Sequence, residues 1–169
     1  MPTIYRTDAI LFPKIGRFLQ HYLPQLPSRS HRAWRAFLAH CAMSESRALE
    51  SLRWGAGPQL RFTNYLQPSK AGRFVANANP RATLIWIRSS VAQAVEQDWT
   101  RWEARLRLEA LVLHEMTHWG DWTEDGTLAT HETGEAFERA AYGGYRPVYF
   151  DYRLERYPPT LAWQAPPEA

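Results

Sequence analysis

Leu113-His114-Glu115-Met116-Thr117-His118-Trp119 contains the pattern His-Glu-x-x-His, and its reading decides the architecture. On an α-helix, residues four apart lie about 40° from each other on one face. His114 and His118 can therefore hold one metal ion together. Glu115 sits one step round the helix, within reach of a water at that metal. This is the zinc-hydrolase arrangement, in which two imidazoles bind Zn²⁺ and the glutamate is the general base.

The flanking residues support a buried helix. Leu106-Arg107-Leu108-Glu109-Ala110-Leu111-Val112-Leu113 leads into the motif, and Ala110 to Leu113 is continuously apolar. A helix apolar on nearly all sides is usually buried. Thr100-Arg101-Trp102-Glu103 reads as a capping box, with Thr100 at the N-cap and Glu103 at N3. The predicted helix runs from about residue 100 to about 121. Two histidines and a glutamate in such a run need partners, and a metal supplies one.

Upstream, residues 8–23 read as helical, with Asp8 a candidate cap and Pro13 awkwardly inside the pattern. Ser28 or Ser30 opens a helix through Trp34, Phe37 and Cys41, and Ser44 opens another that ends near Gly55. The period then changes to two. Residues 59–66, 73–76 and 82–88 are the strand candidates, and Ser89 or Ser90 starts a helical stretch toward the motif. After the motif, Trp119 to Thr130 reads as a polar loop, and residues 131–142 as a helix stopped by Gly143-Gly144. The expected fold is α+β and zincin-like, a small sheet packed on the His-Glu-x-x-His helix with additional helices. Zincins pair one edge strand with an extended substrate, and strand 82–88 is the candidate for that role, an internal strand being the alternative. The whole chain, residues 1–169, reads as one domain, with a loose proline-rich tail over 157–169.

Composition narrows the setting. A single cysteine, Cys41, excludes an internal disulfide and reads as a small buried hydrophobe. No apolar stretch approaches a membrane span, and no signal-peptide pattern opens the chain. Residues 1–95 carry thirteen Arg/Lys against three Asp/Glu, and residues 96–169 carry seven against fourteen. The basic residues form no run, so the reading adopted is that the two halves neutralise each other within one fold or that the arginines are simply dispersed, and no nucleic-acid partner is expected.

A catalytic zinc takes three protein ligands and keeps one position open. Glu124 lies six positions after His118, as in metzincins, but that class expects glycine where this chain has Asp121. His131 reads as an exposed residue near a helix start. Glu135 and Glu138 share a face of the next helix, where gluzincins place their third ligand. Glu138 is favoured because Ala140, Ala141 and Tyr142 make an inward surface, whereas Glu135 faces Arg139. The other glutamate, or Asp121, could accept from an imidazole N–H.

His114-Glu115-Met116-Thr117-His118-Trp119-Gly120-Asp121, followed by Gly134-x-x-Phe137-Glu138 and Tyr142-Gly143, resembles the zincin-type metallopeptidase toxins of bacterial polymorphic toxin systems, the metallopeptidase toxin 3 group. A similar domain ends some VgrG spike proteins of the type VI secretion system. The resemblance spans residues 111 to 143, and residues 1–99 carry no recognisable motif. It implies a zinc-dependent peptidase used as an antibacterial effector, with His114, His118 and Glu138 as metal ligands and Glu115 as base. It further implies a peptide or protein substrate, a cognate immunity protein and a secretion spike. Action in the target-cell periplasm, after storage in the producer's cytoplasm, goes with that role.

In the expected mechanism, Glu115 takes a proton from the attacking water and passes it to the leaving amine. Tyr142, Tyr145 and Tyr149 are candidates to stabilise the oxyanion, although each also reads as a packing aromatic, and Trp119 and Trp122 either wall the cleft or belong to the core. Two other readings stay open. One is a zinc amidase acting on cell-wall peptides. The other is a non-catalytic, metal-stabilised module that binds an anionic polymer.

Overall fold

The most apolar strand lies inside the sheet. The computed structural model describes residues 3–66, 71–76, 84–127 and 133–143. Four strands, β1 (Thr3–Ile4), β2 (Gln59–Thr63), β3 (Gly72–Val75) and β4 (Leu84–Arg88), form one sheet in the order β1-β2-β4-β3. β1, β2 and β4 run parallel, and β3 is antiparallel to β4. β4 was the strand expected at the substrate edge; it is instead flanked on both sides, and the short β3 and β1 are the two edges. Alternation puts Leu60, Phe62, Phe74, Ile85 and Ile87 on the buried face.

The helices explain where sequence periodicity misled. The predicted helix over 8–23 breaks at Phe12 (φ −130°, ψ 63°) into α1 (Arg6–Leu11) and α2 (Pro13–Arg17). Pro13 thereby takes the first helical position, where its missing N–H costs nothing. The Lys14 and Ile15 amides donate to the Glu96 carboxylate at 2.9 and 3.2 Å, which caps α2 from a distant element. Asp8 is not a cap. It lies within α1, and its carboxylate accepts from the Phe62 amide of β2 at 2.9 Å. A π turn over Phe18–Tyr22 and a 3-10 turn over Leu23–Gln25 lead to α3 (Leu26–Arg29). Then follow α4 (His31–His40), capped by Ser30, and α5 (Glu45–Ser51), capped by Ser44.

Next come α6 (Ser89–Gln97), the motif helix α7 (Trp102–Asp125) and α8 (Thr133–Tyr142). α7 begins after Arg101, not at Thr100, and no side chain caps it. It continues through the segment read as a loop and stops at Gly126 (φ 75°). Trp119 and Trp122 explain the extension, because they lie three apart and both pack against the core. Gly120 lets α7 rest on the end of α4. A Cβ there would stand 2.2 Å from the Cys41 carbonyl oxygen.

The basic first half and the acidic second half meet within this fold. Arg29 pairs with Glu109, Arg47 pairs with Glu124, and Lys14 Nζ donates to the Glu96 carbonyl at 2.8 Å. Cys41 is fully buried, and burial pushes its thiol pKa up, as suits an unreactive packing residue. Among the described residues, no helix is long and apolar enough to cross a membrane. The proline-rich tail lies outside the described residues.

Candidate active site

His114 and Glu115 reach the site from the most buried part of α7, being 6% and 5% exposed; their rings and carboxylate are positioned by β3 and α8. The His114 and His118 rings stand 5.3 Å apart between centroids, one turn of helix from each other. Each is held at Nδ1 by a residue of α8. His114 Nδ1–H donates to Glu138 Oε1 at 2.6 Å. His118 Nδ1 bonds the Thr133 hydroxyl at 3.2 Å. With both Nδ1 atoms engaged, a metal shared by the two rings would be taken at Nε2. Partners of this kind fix tautomer and ring direction, and they raise ligand basicity.

Gly134 explains how α8 comes so close. A Cβ at that position would stand 2.4 Å from His114 Nε2 and Cδ2, and 2.6 Å from Cε1. Three nearly equal distances place the glycine over the face of the ring, leaving the plane of the lone pairs to a ligand. Only a residue without a side chain permits this stacking.

Glu115 faces the other way, to the sheet. In an antiparallel edge strand, alternate residues turn both backbone polar groups away from the partner strand. Phe74 of β3 is such a residue, and its N–H donates to Glu115 Oε2 at 2.6 Å. Gly72, two residues earlier, makes the approach possible. A Cβ there would meet Leu111 Cδ1 at 2.8 Å and Glu115 Oε1 at 3.0 Å. The Phe74 ring stands 6.1 Å from that of Trp122, so α7 and β3 are also clamped by their aromatics. The carboxylate of the motif thus lies against the outward edge of the sheet.

Of the two glutamates on α8, the fold turns Glu138 inward, with no exposure, while Glu135 lies 3.6 Å from Arg139 and remains part-exposed. Glu124 pairs with Arg47 at the surface. Tyr142 is buried, and burial pushes the pKa of its hydroxyl well up. His131, Tyr145 and Tyr149 lie outside the described residues. Among the described residues, no three His, Cys, Asp or Glu side chains stand together as a complete metal shell. Sequence reasoning missed Thr133, Gly134, Gly72 and the Phe74 amide. Gly134 is the one that left a trace, in the Gly134-x-x-Phe137-Glu138 string.

Comparison with known proteins adds one finding. The sequence model of a family described as metallopeptidase toxin 3 matches residues 8–143, which includes the helical first half as well as the motif. No curated protein and no solved structure matches the chain.

Proposed function

Because the chain belongs to the metallopeptidase toxin 3 family, we propose that it is a zinc-dependent peptidase that acts as a toxin, with His114 and His118 as metal ligands and Glu115 as general base. The family is one of metallopeptidases, so a hydrolase that uses a metal is the coarse statement, and zinc is the finer one. The observation that carries the finer one is the paired support of His114 and His118 at Nδ1 by Glu138 and Thr133. Two imidazoles held in this way suit zinc, which favours neutral nitrogen donors with carboxylate support. When bound, zinc supplies Lewis acidity, lowering the pKa of water toward neutrality and polarising a carbonyl.

The protein's own groups do the rest. Glu115 takes a proton from the attacking water and delivers it to the leaving amine. The Phe74 N–H holds that carboxylate in place, so its direction is set before substrate arrives. β3, not β4, is the sheet edge next to Glu115, and its outward Phe74 N–H is already taken by that carboxylate. Glu138, favoured from sequence as the third ligand, meets His114 Nδ1 through Oε1 at 2.6 Å, a contact that supports an orienting role beside the ligand role expected of it. Of the other side chains weighed for that place, Glu124 and Glu135 lie beside arginines, and His131 lies outside the described residues. An antibacterial effector, acting in the periplasm of the target cell and met there by an immunity protein, is the setting this activity fits.

Purified protein should contain about one zinc per chain. It should hydrolyse a peptide mixture, lose that activity to a chelator and regain it with zinc. Activity indifferent to chelation would sink the reading, and cell-wall fragments cleaved in place of peptides would redirect it to an amidase. Glu138→Ala separates the two roles of that residue. Loss of an orienting partner weakens zinc binding about 10–100-fold while leaving one site per chain. Loss of all zinc, with His131→Ala retaining it, would restore Glu138 as the third ligand.

A further inference from the structure

We propose that the outer face of the sheet docks an acidic protein surface. The face shares no side chain with the candidate active site. Its register sets one row of residues across the strands. Arg61 of β2 is the partner of Trp86 of β4, and Trp86 is the partner of Arg73 of β3. Paired residues point to one face, and neighbouring strands lie about 4.8 Å apart, so the two arginines start about 10 Å apart with the indole between them. Tyr5 extends the row. Its N–H continues the ladder to the Leu60 carbonyl at 3.0 Å, and the Arg61 guanidinium lies 5.0 Å from the centroid of its ring. The core takes the opposite face: Leu60, Phe62, Phe74, Ile85 and Ile87 belong to it, whereas Trp86 and its same-face neighbours Leu84 and Val75 do not. Those three are part-buried, and Tyr5, Arg61 and Arg73 are exposed.

Charge on this face has one sign. The four strands contain Arg61, Arg73 and Arg88 and no Asp or Glu. Elsewhere in the basic half, Arg29, Arg47 and Arg53 are matched by Glu109, Glu124 and Glu50. Among the described residues, neither Arg61 nor Arg73 forms an ion pair. A charge on the edge strand β3 also guards against edge-to-edge pairing, but Arg61 lies on an inner strand, where that reason fails. The residue types decide the occupant. Trp, Tyr and Arg are the side chains that carry most binding energy at protein–protein contacts. Nucleic-acid footprints cluster lysine with arginine, and the strands hold no lysine. Each guanidinium can take a carboxylate through two parallel hydrogen bonds, and the indole between them offers an apolar anchor. The complement is a protein surface with carboxylates at both ends of the row and an apolar middle.

The test uses the whole chain with a chelator present, so that the probe is not a substrate. A fluorescein-labelled, glutamate-rich peptide with leucine at its centre is titrated at an ionic strength of about 0.15 M. It should bind, and the Trp86 indole N–H resonance, assigned from Trp86→Phe, should shift. Arg61→Gln/Arg73→Gln should melt like the wild type, because both side chains are exposed, and should bind the peptide about tenfold more weakly or worse. Arg17→Gln/Arg35→Gln removes the same charge from exposed positions on α2 and α4 and should keep the wild-type affinity. No binding, an unmoved Trp86 resonance, or an equal loss in the two double variants would overturn the proposal. An oligothymidylate that binds more tightly than the peptide, and loses as much in Arg61→Gln/Arg73→Gln, would overturn it in favour of nucleic acid. Should that double variant fail to fold, Arg73→Gln alone carries the same comparison against Arg35→Gln.

Discussion

Glu115→Gln is expected to lower kcat/KM for peptide hydrolysis by about 10²–10⁴-fold, the range for removal of a general base. Zinc content should stay at the wild-type level. The geometry makes this an unusually clean substitution. Glu115 is buried, and its Oε2 accepts from the Phe74 amide at 2.6 Å. Glutamine has the same shape and keeps one carbonyl oxygen, so it can still accept that N–H and leave β3 docked on α7. What it loses is the ability to take up a proton. Glu115→Ala would not separate these effects. It would leave a buried amide unsatisfied at a cost of about 1–3 kcal/mol and loosen the edge strand as well. A Gln variant that hydrolyses peptides at the wild-type rate, with its metal retained, would remove Glu115 from the mechanism.

The contrast between Glu115 and its neighbours shows how much of this site was legible in the sequence. Spacing placed His114 and His118 on one face of a buried helix, and helical neighbours were enough to turn Glu138 inward and leave Glu135 with Arg139. Each is a fact internal to one helix, α7 or α8, which local periodicity reports well. The edge of the sheet was not legible. β4 is strongly apolar because strands lie on both sides of it, and periodicity does not reveal that β3, four residues long, passes to its far side. Nor could pattern show that the Glu115 carboxylate ends on a backbone amide 41 residues away. Side-chain-to-backbone bonds of this kind leave no mark on residue type.

The two ends of α7 show the same division. Thr100 and Glu103 have the residue types of a capping box, yet the chain turns into the helix at Arg101, whose N–H bonds the Asp98 carbonyl at 2.9 Å. Downstream, polar residues between Trp119 and Asp125 resemble a loop when counted by composition. Counted by position, Trp119 and Trp122 form an apolar stripe that continues the helix. The charge asymmetry was legible in sum but not in detail. Neutralisation between the halves and simple dispersal of the arginines were equally open to pattern, and the identities of the pairs, Arg29 with Glu109 and Arg47 with Glu124, depend on tertiary packing.

Gly134→Ala should cost the protein both stability and metal, and the sign is the informative part. Alanine is the better helix former by about 1 kcal/mol, so if α8 were an ordinary helix the change would stabilise it. The added Cβ would instead stand 2.4 Å from His114 Nε2 and Cδ2, a contact that real Cβ atoms do not make. Either the ring turns or α8 backs away. If the ring turns, His114 leaves Glu138; if α8 backs away, Glu138 and Thr133 move off both imidazoles together, since one helix carries them. Overpacking of this kind costs about 1–3 kcal/mol, and loss of the orienting partners weakens zinc binding by about 10–100-fold. Melting in the absence of metal reads the first effect, and zinc competition reads the second. Gly16→Ala is the matched control, because Gly16 lies in α2 and its added Cβ would meet nothing within 4 Å. That variant should melt at or slightly above the wild-type temperature and bind zinc normally. If Gly134→Ala behaves in the same way, α8 does not press on His114, and the two imidazoles must be oriented by something other than the contacts of Glu138 to His114 and Thr133 to His118.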